Sequence, residues 1–212
     1  MSTIASSLQD MLKGLIAQTN LTVTSEQVEK LVAFVLLIEK WNKAYNLSSV
    51  REPEQMLVKH IMDALVVSEY VKGDNIADVG TGPGLPGIPL AILFPEKQFT
   101  LIDSLGKRIR FIKQACYELK ITNVDAIQAR VEQVQVETKF DTVLSRAFAS
   151  LADMLNWCAH LVGNQGEFLA LKGQLHQDEL SQVPDTFLVS GTHALFVPSL
   201  IGERHLVSIH KR

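Results

Sequence analysis

The sequence predicts an α/β protein: a doubly wound, mostly parallel sheet of seven strands that closes in an antiparallel hairpin, with a small helical appendage in front. Three observations predict it. Residues 4 to about 70 carry only helical periodicity, short apolar runs alternate with helical stretches after Gly73, and the tail reads as two strands with no helix between them. The expected division is an appendage over 1–70 and a main domain over 71–212.

In the appendage, Leu8, Met11, Leu12, Leu15 and Ile16 fall on one helical face, and Val28, Leu31, Val32, Val35, Ile38 and Trp41 on another. Thr24 followed three residues later by Gln27 is the pattern of a capping box opening the second helix. Pro53 suits the first turn of a third helix bearing Met56, Leu57, His60, Ile61 and Leu65. Strands are expected near 76–80, 99–103, 124–128, 140–145 and 167–171, and their spacing leaves the third crossover room for only a short helix. Ser150 and Asp153 open a further helix, expected to end at Gly163, and the closing hairpin pairs 187–197 with 204–210.

Composition narrows the function classes. The 212 residues suffice for one α/β core with an appendage but not for two catalytic domains, and 47% hydrophobic residues against 20% charged give a packed core. A net charge of −3 offers no bulk attraction to polyanions, so any nucleic-acid site must be a local patch. Cys116 and Cys158 lack disulfide or zinc spacing and read as buried free thiols; no metal site is expected. The longest apolar run, 31–38, is far below the ~20 residues that span a bilayer. Lys13 comes too late for a signal-peptide basic region, so the expectation is a cytoplasmic protein without membrane contact.

The most informative segment is Asp78-Val-Gly80-Thr-Gly82-Pro-Gly84-Leu85-Pro-Gly87, a strand running through a glycine-rich turn into a helix. Glycine admits positive φ and lets a ligand press on bare backbone, and four glycines exceed what a structural turn needs. Two cofactors compete for it. Gly82 to Gly87 matches GxGxxG, and Asp103 ends the next strand where a dinucleotide enzyme holds a ribose hydroxyl. Against NAD, the chain has no room for a second substrate domain with a catalytic His or Lys set. The glycine run also begins directly at the strand end, which resembles the first motif of the class I S-adenosylmethionine-dependent methyltransferases, a Rossmann-like fold. That resemblance implies loop backbone facing the methionine part of the cofactor and Asp103 accepting from both ribose hydroxyls.

Further stretches are similar to one family, the RsmG (GidB) methyltransferases of small-subunit ribosomal RNA. They are Trp41-Asn-Lys-Ala-Tyr-Asn46-Leu, His60-Ile-Met-Asp63, the glycine loop, Asp103-Ser-Leu-Gly-Lys-Arg-Ile-Arg-Phe111, Ser145-Arg-Ala-Phe-Ala149, Leu171-Lys-Gly173 and Gly202-Glu-Arg-His205. The resemblance implies methyl transfer from S-adenosylmethionine to N7 of a guanine in a 16S rRNA loop. The implied cofactor pocket comprises Gly80, Gly82, Gly84, Leu85, Asp103, Val131, Glu132 and Arg146. The alternative for Arg146 is a structural ion pair with a carboxylate such as Asp141 or Glu132. Guanine N7 has a free in-plane lone pair, so no general base is needed and no catalytic acid or base is assigned.

Lys107, Arg108, Arg110 and Lys113 form a cationic run beside Asp103. Lys107 and Arg110 are candidate phosphate contacts, with a solvated helix face as the plainer alternative. Arg130 and Lys172 stand at the carboxyl ends of expected strands, the ligand edge of such sheets, and are further RNA candidates. Asn46 and His60 could cover the methyl pocket or touch a flipped-out base, although His60 equally suits a core histidine. The expected partner is 16S rRNA or the small ribosomal subunit, and the expected state is a monomer. A non-catalytic RNA-binding or ribosome-assembly module remains the third reading.

Overall fold

The computed structural model describes residues 3–146, 148 and 150–212; Ala147 and Ala149 of the Ser145–Ala149 motif lie outside the described residues. Helices α1 (Thr3–Ile16) and α2 (Ser25–Tyr45) bury the expected faces. The Thr24–Gln27 capping box is present: Thr24 Oγ1 accepts from the Gln27 N–H, and Gln27 Oε1 accepts from the Thr24 N–H. Gln27 Nε2 also donates to the carbonyls of Ile92 and Leu93 at 3.2 and 3.0 Å, so the residue that starts α2 fastens it to the segment that follows the glycine loop. Asn46 caps α2 in the left-handed region, at φ 48°.

Pro53 opens the third helix, as expected, but that helix is not uniform. It is α-helical over α3 (Pro53–Met56), π-helical over Leu57–Met62, and α-helical again over α4 (Asp63–Leu65). One extra residue per turn changes which side chains share a face, and π segments concentrate at functional sites.

From Asn75 onward the chain builds a single seven-stranded sheet of order β3-β2-β1-β4-β5-β7-β6. The strands are β1 (Asn75–Val79), β2 (Gln98–Asp103), β3 (Val124–Gln128), β4 (Phe140–Ser145), β5 (Val162–Lys172), β6 (Phe187–Ala194) and β7 (His205–Lys211). The first five pair in parallel, and β7 runs antiparallel to both β5 and β6. The third crossover holds only a 3₁₀ turn at Val131–Gln133, matching its short length.

Two expectations need correction. The helix capped by Ser150, α7 (Leu151–Cys158), stops before Gly163, which lies inside β5. β5 begins at Val162, because the chain re-enters the sheet beside Phe140 across a register shift. A Cβ at Gly166 would sit 2.8 Å from the Phe140 carbonyl oxygen, so only glycine fits that close approach.

Both sheet faces are covered. Ile76, Leu144 and Leu169 join one apolar cluster with Leu8, Leu31 and Ile61 of the helical segment and with α5 (Gly87–Leu93) and α6 (Gly106–Leu119). Their neighbours Ala77, Val143 and Phe168 turn the other way, into a second cluster with Leu151, Met154 and Leu155 of α7. This alternation with period two follows from strand geometry. It leaves the carboxyl ends of β1, β2 and β4 as the place where loops converge.

Candidate functional site

The glycine loop is held between two buried carboxylates. Behind it, Asp78 Oδ2 accepts from the Thr81 hydroxyl at 2.6 Å and the Gly87 N–H at 2.8 Å, drawing both ends of the loop together. In front, Asp103 Oδ2 accepts from the Gly82 N–H at 3.0 Å. The Gly80 and Thr81 N–H groups donate to the Ile102 carbonyl, which fixes the turn against β2. Burial pushes the Asp78 carboxyl up to about 6, partly offset by those Thr81 and Gly87 hydrogen bonds, and its Oδ1 is buried without a partner.

The loop glycines do different work. Gly82 (φ +61°) has nothing within 4 Å of an added Cβ, so its side faces open space. At Gly84 a Cβ would lie 2.5 Å from Ile88 Cγ1, and at Gly87 2.8 Å from Asp78 Oδ2. The first is bare toward a ligand; the other two allow close packing behind it.

Before this loop lies a cleft of about 640 Å³ whose walls include Gly80, Asp103, Arg108, Arg130, Val131 and Glu132, with Phe148 and Trp157 at one side. Of the eight expected cofactor residues, Gly80, Asp103, Val131 and Glu132 line it directly. Leu85 is buried in the first apolar cluster. Arg130, expected to meet RNA, stands in this cleft.

A second cavity of about 430 Å³ adjoins at Phe148, which lines both. It gathers Lys59, His60, Asp63, Arg146, Lys172 and Arg204. Here the structure departs from the expectation for Arg146. It lines this cavity, and its ion pair is with neither Asp141 nor Glu132 but with Asp63, Nη1 to Oδ2 at 3.2 Å. The other Asp63 oxygen accepts from Arg204 Nε at 2.6 Å. A buried carboxylate from the helical segment thus holds two guanidiniums from the sheet, one after β4 and one before β7.

His60 sits at this cavity, on the π segment. Its Nδ1–H donates to the Lys59 carbonyl at 2.9 Å, which makes Nε2 the acceptor for the Ser48 hydroxyl at 2.7 Å. Burial, with the Arg146 charge nearby, pushes its pKa down to about 4. Lys172 is mostly buried; it pairs with Glu179 at 2.6 Å and donates to the Phe148 carbonyl at 3.2 Å. Glu179 also accepts from the Leu151 N–H, so this pair is bonded both to Phe148, which lines the two cavities, and to the start of α7.

The remaining RNA candidates scatter. Lys107 Nζ donates to the Tyr45 carbonyl at 3.0 Å and bridges α6 to α2. Arg110 is exposed. Asn46 is exposed and accepts from Arg51 at 3.0 Å, outside both cavities. Sequence reasoning missed Arg108, Asp63 and Arg204 as site residues. Asp63 and Arg204 both stand in motif stretches, His60-Ile-Met-Asp63 and Gly202-Glu-Arg-His205, but nothing in the sequence paired them across 141 residues.

A family model described as GidB, rRNA small subunit methyltransferase G, matches residues 27–207. The chain belongs to this family. Its relatives include the ribosomal RNA small subunit methyltransferase G of Photobacterium profundum, 60% identical over 94% of this chain and 97% of that protein. The protein of the same name from Alteromonas mediterranea is 57% identical over 99% and 100%. Among solved structures, magnesium protoporphyrin IX methyltransferase from Synechocystis, crystallised with S-adenosylmethionine, shares the fold at a TM-score of 0.62 and 16% identity, covering 92% of this chain and 100% of that one. The fold is that of the class I S-adenosylmethionine-dependent methyltransferases, and a family of small-subunit rRNA methyltransferases favours neither the dehydrogenase nor the non-catalytic alternative. No helix among the described residues is long and apolar enough to cross a membrane.

Proposed function

We propose that this protein transfers the methyl group of S-adenosylmethionine to N7 of a guanine in 16S rRNA, holding the cofactor in the larger cleft and the base in the cavity beyond Phe148. The cleft suits the cofactor: Asp103 offers a buried carboxylate, Gly82 leaves open space over the loop, and Val131 and Glu132 stand on the wall where an adenine would lie. When bound, the cofactor supplies a methyl group made electrophilic by its sulfonium charge. Gly80, Gly82 and Gly84 shape the loop, Leu85 backs it from the core, and Arg146 lines the smaller cavity.

The observation that carries the N7 reading is the absence of a usable base among the described residues of the smaller cavity. Both Asp63 oxygens are engaged by arginines, and both His60 nitrogens are hydrogen-bonded. An exocyclic amine needs a proton removed in the course of methylation, whereas N7 attacks with a free lone pair. Positioning and charge stabilisation then carry the rate. Arg130 and Arg110 are the better phosphate contacts; Lys107 and Lys172 act mainly through the protein bonds they make, and Asn46 shapes the end of α2. A ribosomal substrate supports a cytoplasmic location.

The test is incubation of the purified protein with labelled cofactor and small subunits lacking the modification, followed by nucleoside mass mapping. The expected product is 7-methylguanosine at one position. Label on an exocyclic amine, on a ribose or on protein would overturn the reading.

A further inference from the structure

We propose that Arg204 reads O6 of the target guanine and so makes the enzyme reject adenine. The inference rests on the N7 reading and adds the residue that selects the base.

The smaller cavity has many polar groups, but most are already committed. Asp63 is held on both oxygens, His60 on both nitrogens, and the Lys172 ammonium by Glu179 and the Phe148 carbonyl. Lys59 Nζ donates to Gln55 at 3.0 Å. Arg204 is fixed differently. Its Nε is bound to Asp63 Oδ1 at 2.6 Å and its Nη1 to the Glu203 carbonyl at 2.9 Å, while its Nη2 makes no hydrogen bond with any described residue. Two tethers on a rigid planar group fix its orientation, so the remaining nitrogen is a preset donor at the cavity wall.

Guanine chemistry asks for such a donor. N7 and O6 share one edge of the ring, so a base that turns N7 toward the cleft across Phe148 brings O6 against a neighbouring wall. Burying that carbonyl without a partner is costly. The two-pronged arginine grip on N7 and O6 used by DNA readers is ruled out, because the N7 lone pair must be free to take the methyl group. A single donor to O6 is what remains, and Arg204 has one terminal nitrogen uncommitted. Adenine would present its amino group there, donor against donor. Arg146 is held by one longer bond, so its orientation is less fixed and it is the weaker candidate for this contact.

The test uses small subunits or rRNA fragments carrying 2-aminopurine at the target position, which keeps N7 and the 2-amino group but lacks O6. Wild-type enzyme is expected to methylate the 2-aminopurine substrate roughly 10- to 100-fold more slowly than guanine, the range for one hydrogen bond to a charged group. Arg204→Ala should slow the guanine substrate by a similar factor, yet match wild type on 2-aminopurine, with S-adenosylhomocysteine binding unchanged. Equal slowing of both substrates would mean a phosphate contact or a packing role and overturn the proposal. So would a wild-type enzyme indifferent to O6. If Arg204→Ala does not fold, the wild-type comparison stands alone and Arg204→Lys, which keeps a donor, must retain the preference for guanine. A wild-type enzyme that makes no 7-methylguanosine on the guanine substrate would instead sink the underlying N7 reading.

Discussion

The guanidinium of Arg108 lies 3.0 Å from Asp103 Oδ2, on the same oxygen that accepts the Gly82 N–H. Asp103 Oδ1 accepts from the Leu105 N–H at 2.9 Å. A carboxylate has about four lone-pair directions, and three are taken here. A ribose diol donating twice needs two. Arg108 is the partner able to leave, since the other two donors are backbone groups of fixed loops, and its Nε is buried without a partner of its own.

Arg108→Ala should therefore lower the melting temperature of the ligand-free protein, by exposing Asp103 to an unpaired buried charge, while enlarging the rise that S-adenosylhomocysteine produces. Melting curves with and without ligand check both halves. A ligand-induced rise no larger than in wild type would show that Arg108 does not compete with the sugar.

Asp103→Asn keeps the shape but removes the charge. Ligand affinity should fall roughly tenfold or more, the effect of weakening charge-assisted hydrogen bonds. Calorimetric titration with S-adenosylhomocysteine measures it, and unchanged affinity would remove Asp103 from the cofactor site.

The loop glycines should separate by assay. Gly82→Ala meets no atom and has only its positive φ to overcome, about 1–2 kcal/mol; its larger defect should be in ligand affinity. Gly87→Ala pushes a methyl group against Asp78 and Leu101 and should lose stability first, about 1–3 kcal/mol. Urea midpoints and ligand titrations on both variants should show opposite rankings.

Acid titration offers a fourth check. His60 has its pKa pushed down from 6.5 to about 4, so the unfolded chain binds more protons between those values and stability falls as pH drops through that window. Asp78, pushed up from 3.8 to about 6, acts oppositely: its buried charge is relieved as pH falls below 6. His60→Asn should flatten the loss of stability between pH 6.5 and 4, and Asp78→Asn should steepen it. Urea midpoints at several pH values decide; identical slopes in all three proteins would contradict the assignment.

The parts of the fold visible in the sequence were those set by local rules. The Thr24–Gln27 box, Pro53, the alternating strands and the glycine turn each declare themselves within a few residues. The β5 start was not visible, because Gly163 reads as a helix stop unless one knows that Phe140 lies beside it. The π segment was hidden for a similar reason: its residues have ordinary helical composition, and the widened turn is a tertiary outcome. The larger cleft gathers four of the residues that motif and spacing singled out, Gly80, Asp103, Val131 and Glu132. The junction in the smaller cavity was not visible: Asp63, Arg146 and Arg204 each stand in a motif stretch, but they meet only after the sheet has formed.

That three-way junction joins the two ends of the chain. Asp63 arrives with the early helices and Arg204 with the last hairpin, so neither half of the sequence forms the smaller cavity by itself. A fragment beginning at residue 71 would strip the first apolar cluster of Leu8, Leu31 and Ile61 and, in the same cut, leave two arginines without their counter-ion. During synthesis the smaller cavity can close only once Arg204 has emerged, so a product cut before it would carry the larger cleft alone.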